Sequence, residues 1–192
     1  MPGLFQDRGQ DRMKRLRWRL ILLMVLAVVL CQDRPTAHAA DEYPVKAAFI
    51  SHFAEFVEWP ADAFSNPKAP LEIGVLGADP FHGALERAIA GKTVGGHPLV
   101  VRHFSSIDDL EPCHILFIAA ERQDDFASAQ QRMGNHAVLT VGEWESFPSM
   151  GGVIRLFTEN NHIRFDINRA AAERARLRIS AKLLKLARAI LN

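Results

Sequence analysis

The sequence predicts one α/β domain: a mostly parallel sheet flanked by helices, with a C-terminal antiparallel β-hairpin and terminal helices. Three observations point there. Short apolar runs such as LEIGVLG, PLVVRHF and CHILFIA are patterns of buried strands. They alternate with segments of helical periodicity, the order that builds a parallel sheet covered on both faces. Late in the chain, Val153 to Phe157 and Ile163 to Ile167 alternate in polarity around Glu159-Asn160-Asn161, which reads as a hairpin.

A segment of another kind precedes the domain. Arg8, Arg12, Lys14, Arg15, Arg17 and Arg19 lead into the apolar run Leu20 to Leu30, followed by QDRPTAHAA. Basic, apolar, then small-residue order is that of a secretory leader. The apolar run is also shorter than the roughly 20 residues a membrane-spanning helix needs. Ala37 and Ala39 satisfy a signal peptidase, so residues 1–39 are expected to be removed and residues 40–192 to form the domain. Ala40 is the alternative cleavage point. Met13 opens a more usual leader than Met1.

Loss of the leader changes the charge balance. The chain holds 23 basic and 22 acidic residues; residues 1–39 carry seven and three of these, leaving 16 and 19, a net charge of −3. That argues against non-specific nucleic-acid binding, which requires a positive surface. One cysteine, Cys113, is left, and one thiol forms no internal disulfide. It opens an apolar run, where burial as a small hydrophobe is expected.

The elements follow in order. Val45, Ala48, Phe49, Phe53, Phe56 and Val57 have helical spacing from Tyr43 to Trp59, and Pro60 ends the helix. Leu71 to Gly77 is the first strand. Asp79-Pro80 starts a helix reaching about Ala90. GKTVGGHP is a loop, Pro98 to Phe104 the second strand, Ser106 to Leu110 a turn or short helix, and His114 to Ala119 the third strand. Residues 121–133 form a polar helix ended by Gly134-Asn135. Ala137 to Val141 is the fourth strand, and the hairpin follows. Asn168 caps RAAAERA, LRIS interrupts it, and Ser180 caps a last helix, AKLLKLARAILN.

Each chemical motif has a structural competitor. Gly91-Lys92-Thr93 lacks the upstream glycine of a phosphate loop, since position 86 is Glu. His52, Glu55 and Glu58 form a solvated helix stripe, and the other histidines lack metal-ligand spacing. Cys113 and His114 are strand neighbours facing opposite sides, which disfavours a Cys–His pair. No catalytic residue, metal site or cofactor is therefore assigned. Gly77 and Asp79, at the end of the first strand, form a candidate ligand loop, because open α/β sheets bind ligands there. On the last helix, Leu183, Leu186 and Ile190 form a candidate partner-binding face.

Read in order, VKAAFISHFAEFVEWP, LEIGVLGADPF, GKTVGGHPLVVRHF, CHILFIA, LTVGEWESF, GGVIRLFTENNHIRFDIN and LRISAKLLKLAR resemble the YfiR-type periplasmic regulators across nearly the whole of residues 40–192. The resemblance implies a non-enzymatic periplasmic protein that binds the sensory part of an inner-membrane diguanylate cyclase and represses it. Release of that brake, through an outer-membrane lipoprotein partner, raises cyclic di-GMP and favours biofilm. It further implies a homodimer, and the charge balance adds the expectation of no nucleic-acid partner. Some relatives carry disulfides, but a single Cys113 leaves none to form here. The alternative is a periplasmic small-molecule-binding module using the loop at Gly77 and Asp79.

Overall fold

In the computed structural model, which describes residues 38–192, the first element is helix α1, His38–Phe56. The predicted leader, apart from its last two residues, lies outside the described residues. Helix α1 starts earlier than its periodicity predicts and contains Pro44, which has no N–H to give to the preceding turn. Ala47, Ile50, Phe53 and Ala54 are its fully buried stripe.

The helix also ends earlier than predicted. After Phe56 the chain is extended as β1, Val57–Glu58, which pairs antiparallel with β9, Arg178–Ile179. The Ser180 N–H donates to the Phe56 carbonyl at 2.9 Å. LRIS, read from sequence as an interruption, is thus the second strand of a ribbon that draws β-branched Val57 out of the helix.

The main sheet has eight strands: β2 Leu71–Leu76, β3 Thr93–Val94, β4 His97–Phe104, β5 Ile115–Ile118, β6 Leu139–Gly142, β7 Ile154–Glu159, β8 His162–Asn168 and β10 Ala189–Leu191. Their spatial order is β10-β8-β7-β6-β5-β2-β4-β3. From β7 to β4 all neighbours are parallel. The pairs β7–β8 and β3–β4 are antiparallel hairpins, and β10 lies parallel to β8. The β7–β8 turn places Asn160 and Asn161 at φ 50° and 61°, the two left-handed positions of a type I′ turn that Asn tolerates.

Alternation along the strands divides the core between two faces. Ile73, Val75, Ile115, Phe117, Leu139 and Val141 face α1 and α2 (Ala84–Ile89). Leu76, Leu116, Ile118 and Val138 face α3 (Phe126–Met133). Gly74 faces α3 too; a Cβ there would stand 2.9 Å from Phe104 and 3.0 Å from Cys113 Sγ. Two short helices complete the domain: α4, Arg169–Arg174, and α5, Ala181–Leu186. Both start as predicted, Asn168 accepting from the Ala171 N–H and Ser180 from the Leu183 N–H.

The last predicted helix does not run to the C-terminus. It stops at Leu186; Ala187 is extended at ψ 141°, and Ala189–Leu191 joins the sheet edge. The cause is Asp166, a buried carboxylate on β8. Arg188 grips it with two hydrogen bonds of 3.0 Å, and the Arg188 N–H donates to the Phe165 carbonyl. A two-pronged Arg–carboxylate contact beside a strand edge outweighs the modest helix propensity of three terminal residues.

Candidate functional site

The fold puts a strand-order switch between β2 and β5. The chain leaves β2 through α2 on one face towards β4, and leaves β5 through α3 on the other face towards β6. Such a switch opens a crevice at the carboxyl ends of the strands, where open α/β sheets hold ligands. Gly77 stands there at φ 101°, a left-handed conformation that favours glycine.

The crevice holds a carboxylate of the chain itself. Glu121 Oε1 accepts from the Ala78 N–H at 2.7 Å and lies 2.6 Å from where a Cβ on Gly77 would be. Asp79, the other predicted ligand-loop residue, turns onto its own backbone, its Oδ1 accepting from the Phe81 N–H at 2.8 Å. The helix predicted to start at Asp79-Pro80 begins only at Ala84, because His82 (φ 49°) and Gly83 (φ 77°) interpose a left-handed turn. Sequence reasoning missed Glu121, since nothing local links residues 77 and 121.

Beside the crevice lies a buried charge cluster that sequence reasoning missed. Lys46 of α1 is 4% exposed and pairs with Glu42, one turn earlier, and with Glu143, just after β6. Tyr43 packs under the ammonium at 4.6 Å and donates its hydroxyl to Glu143 at 3.4 Å. Burial opposes the charge on Lys46, but the hydrogen bonds to Glu143 and Glu42 outweigh it and hold its pKa above the ordinary value. An amine held protonated is no general base. The cluster pins α1 to the sheet.

At the opposite ends of the strands, Phe64 is stacked between two histidines, 3.7 Å from His97 and 4.5 Å from His114, centroid to centroid. His114 Nδ1 accepts from the Glu72 N–H, and its Nε2 meets the Ala63 carbonyl at 3.1 Å. One acceptor and one donor define the neutral imidazole. Burial lowers the His114 pKa below its ordinary value. The unfolded chain therefore takes up this proton at a higher pH than the folded one. Stability from neutral His114 is present above about pH 6.5 and is lost as pH falls below it. Urea unfolding at pH 7.5 and 5.5 is expected to show a smaller pH loss for His114→Gln than for the parent chain; equal losses would count against this.

Cys113 is 5% exposed, and burial pushes its thiol pKa up to about 12. Such a thiol is unreactive. His114 on the next residue bonds elsewhere, so the two form no pair. Among the described residues, no three His, Cys, Asp or Glu side chains are gathered as a metal ion needs. His52 and Glu55 remain an exposed pair on α1.

The candidate partner residues separate in the structure. Leu183 is a core residue, 3% exposed, so it belongs to no surface face. Leu186 ends α5 at 61% exposure, and Ile190 lies on β10 at 45%. The continuous helix face expected from sequence does not form, because the chain turns into a strand at Ala187. What remains exposed in the C-terminal segment is Leu186 at the end of α5, and Ile190 and Leu191 on the edge strand β10.

The site thus defines a class: an α/β domain whose crevice at the strand ends carries a carboxylate of its own chain, hydrogen-bonded to the Ala78 N–H, and whose ion clusters tie elements together. The chain belongs to the YfiR/HmsC-like family, whose model matches residues 43–188. No curated protein matches it. Among solved structures it is similar to a conserved domain protein from Vibrio cholerae O1 biovar El Tor, at 14% identity and TM-score 0.50. That match covers 78% of this chain and 60% of the other, so this chain spans less than two thirds of its neighbour. A structure titled as the ABC domain in complex with L-Trp from Streptococcus pneumonia is similar at 11% identity and TM-score 0.46, covering 62% of this chain and 55% of that one. At these identities the likeness concerns fold alone.

Proposed function

We propose that the protein is a non-enzymatic periplasmic regulator that binds the periplasmic sensor region of an inner-membrane diguanylate cyclase and represses it. The observation that carries this reading is the family match, which spans the domain from α1 to Arg188. The Glu121 carboxylate at the Gly77 crevice supports it, because it takes the Ala78 N–H that a bound anion would otherwise use. No helix among the described residues is long and apolar enough to cross a membrane. The export leader in residues 1–39, an outer-membrane lipoprotein that relieves repression, and a homodimeric state belong to the same proposal.

The mechanism is a population shift. The regulator turns the cyclase down only as far as it prefers the inactive sensor conformation. The contact we propose is the C-terminal segment running from Leu186 at the end of α5 to Ile190 on the edge strand β10, with Leu183 acting from behind as core support. Apolar side chains exposed together at an edge suit a partner surface. Gly77 and Asp79 have a structural part, shaping the loop that Glu121 closes.

Deleting the gene is expected to raise cellular cyclic di-GMP in a strain that produces the cyclase. Ile190→Asp is expected to reproduce the rise, and Leu186→Asp, at 61% exposure, to do so with the melting temperature within about 2 °C, since surface changes usually cost no more than about 0.5 kcal/mol. Unchanged cyclic di-GMP on deletion would contradict the regulatory reading. A rise on deletion without one for Ile190→Asp would move the contact elsewhere.

A further inference from the structure

A second concavity lies away from the Glu121 crevice, on the sheet face covered by α3. It is a cleft of about 570 Å³ between α3 and α4, within the roughly 300–1,000 Å³ of small-molecule sites. Leu116, Met133 and Val138 form its depth, all no more than 4% exposed.

Its rim is cationic on balance. Arg176 and Asp62 neutralise one another at one end, 2.8 Å apart, and the second Arg176 nitrogen is taken by the Asn135 carbonyl at 3.1 Å. His136 stands on the same rim. Arg174 is different: it makes no ion pair or side-chain hydrogen bond with any described residue, and it borders the cleft. Gly151 lies between its guanidinium and the Gln130 amide. The point where a Cβ would stand on Gly151 is 3.1 Å from Gln130 Nε2 and 4.0 Å from Arg174 Nη2. The Gln130 amide and the Arg174 guanidinium thus lie close to one another at the Gly151 edge of the cleft.

We propose that this cleft binds a small organic anion, its carboxylate held by Arg174 and Gln130 and its short apolar body directed towards Met133 and Val138. The charge complement is specific. Of the two arginines on the rim, Arg174 has no carboxylate partner among the described residues, and an Arg guanidinium matches a carboxylate with two parallel N–H donors. A neutral ligand would leave it unused. Acetate would gain nothing from the depth. This inference stands independently of the cyclase reading, since a bound anion requires no partner protein.

The test is calorimetric titration of the full chain with 3-phenylpropionate, its neutral analogue 3-phenylpropanol, and acetate. One saturable site for 3-phenylpropionate is expected, with the alcohol at least about tenfold weaker, the gain of a hydrogen bond to a charged group, and no measurable acetate binding. Arg174→Gln should weaken 3-phenylpropionate by a similar factor. Arg169→Gln, on the same helix but outside the cleft, should not change it. Arg174 is exposed, so melting temperature should stay level in both variants and a folding defect will not imitate lost binding. Equal binding of acid and alcohol, an Arg174→Gln variant that binds normally, or no binding of 3-phenylpropionate at 10-millimolar order would each overturn the proposal.

Discussion

Lys46→Met is expected to destabilise the fold by about 3–5 kcal/mol, the cost of removing one partner from a buried ion cluster. The Lys46 side chain is 5% exposed, Glu143 13% and Glu42 27%. Without the ammonium, two carboxylates face each other in a partly dry site, with only the Tyr43 hydroxyl left beside Glu143. At about 2–4 °C per kcal/mol for a domain of this size, the melting temperature should drop by roughly 6–20 °C. Adding Glu143→Leu should restore much of the loss, because replacing a buried pair by apolar groups costs far less than breaking it. A Lys46→Met variant within about 1 kcal/mol of the parent in urea unfolding would show that the cluster contributes little.

The second large effect is expected at Gly152→Ala. A Cβ at that position would stand 2.3, 2.4 and 2.6 Å from Phe147 Cε1, Cδ1 and Cζ. The ring has no room to retreat. Its other edge lies against Gly142, where a Cβ would be 2.7 Å away, and Phe126 and Trp144 pack on it at 4.8 and 4.6 Å. Phe147 is fully buried. Overpacking of this kind costs about 1–3 kcal/mol, and a clamped ring places it at the upper end. Gly152→Ala with Phe147→Leu should lose less than the two single changes summed, since a smaller side chain relieves the clash. Strict additivity would place the strain elsewhere.

Much of the fold was legible because it is written in local patterns. The β-strand runs keep their own faces: Ile115 and Phe117 go to one side, Leu116 and Ile118 to the other. Asn160-Asn161 fixes a turn wherever it stands, and Asn168 and Ser180 cap helices through hydrogen bonds three residues away. Burial of Cys113 followed from the apolar run it opens.

What was not legible depends on distant partners. LLKLARAIL has helical spacing throughout, yet Asp166, 22 residues upstream, captures Arg188 and turns Ala189–Leu191 into an edge strand. Val57 leaves its helix because Ile179 is waiting as a strand partner. The candidate site suffered most from this. Glu121 reaches back 43 residues to close the Gly77 loop, and Glu143 reaches back 97 to Lys46. No spacing rule covers such pairs. The Leu183-Leu186-Ile190 face was drawn on a helix that stops at Leu186, so one residue went to the core and one to a strand.

The central claim is that this domain acts on a diguanylate cyclase by contact. The most direct measurement is cyclase output in inner-membrane vesicles whose periplasmic face is open to the purified protein. The account predicts a saturable fall in cyclic di-GMP synthesis as the protein is added, with a weaker response for Ile190→Asp. Synthesis that stays level at saturating protein, for each membrane-anchored diguanylate cyclase of the source organism, would contradict it.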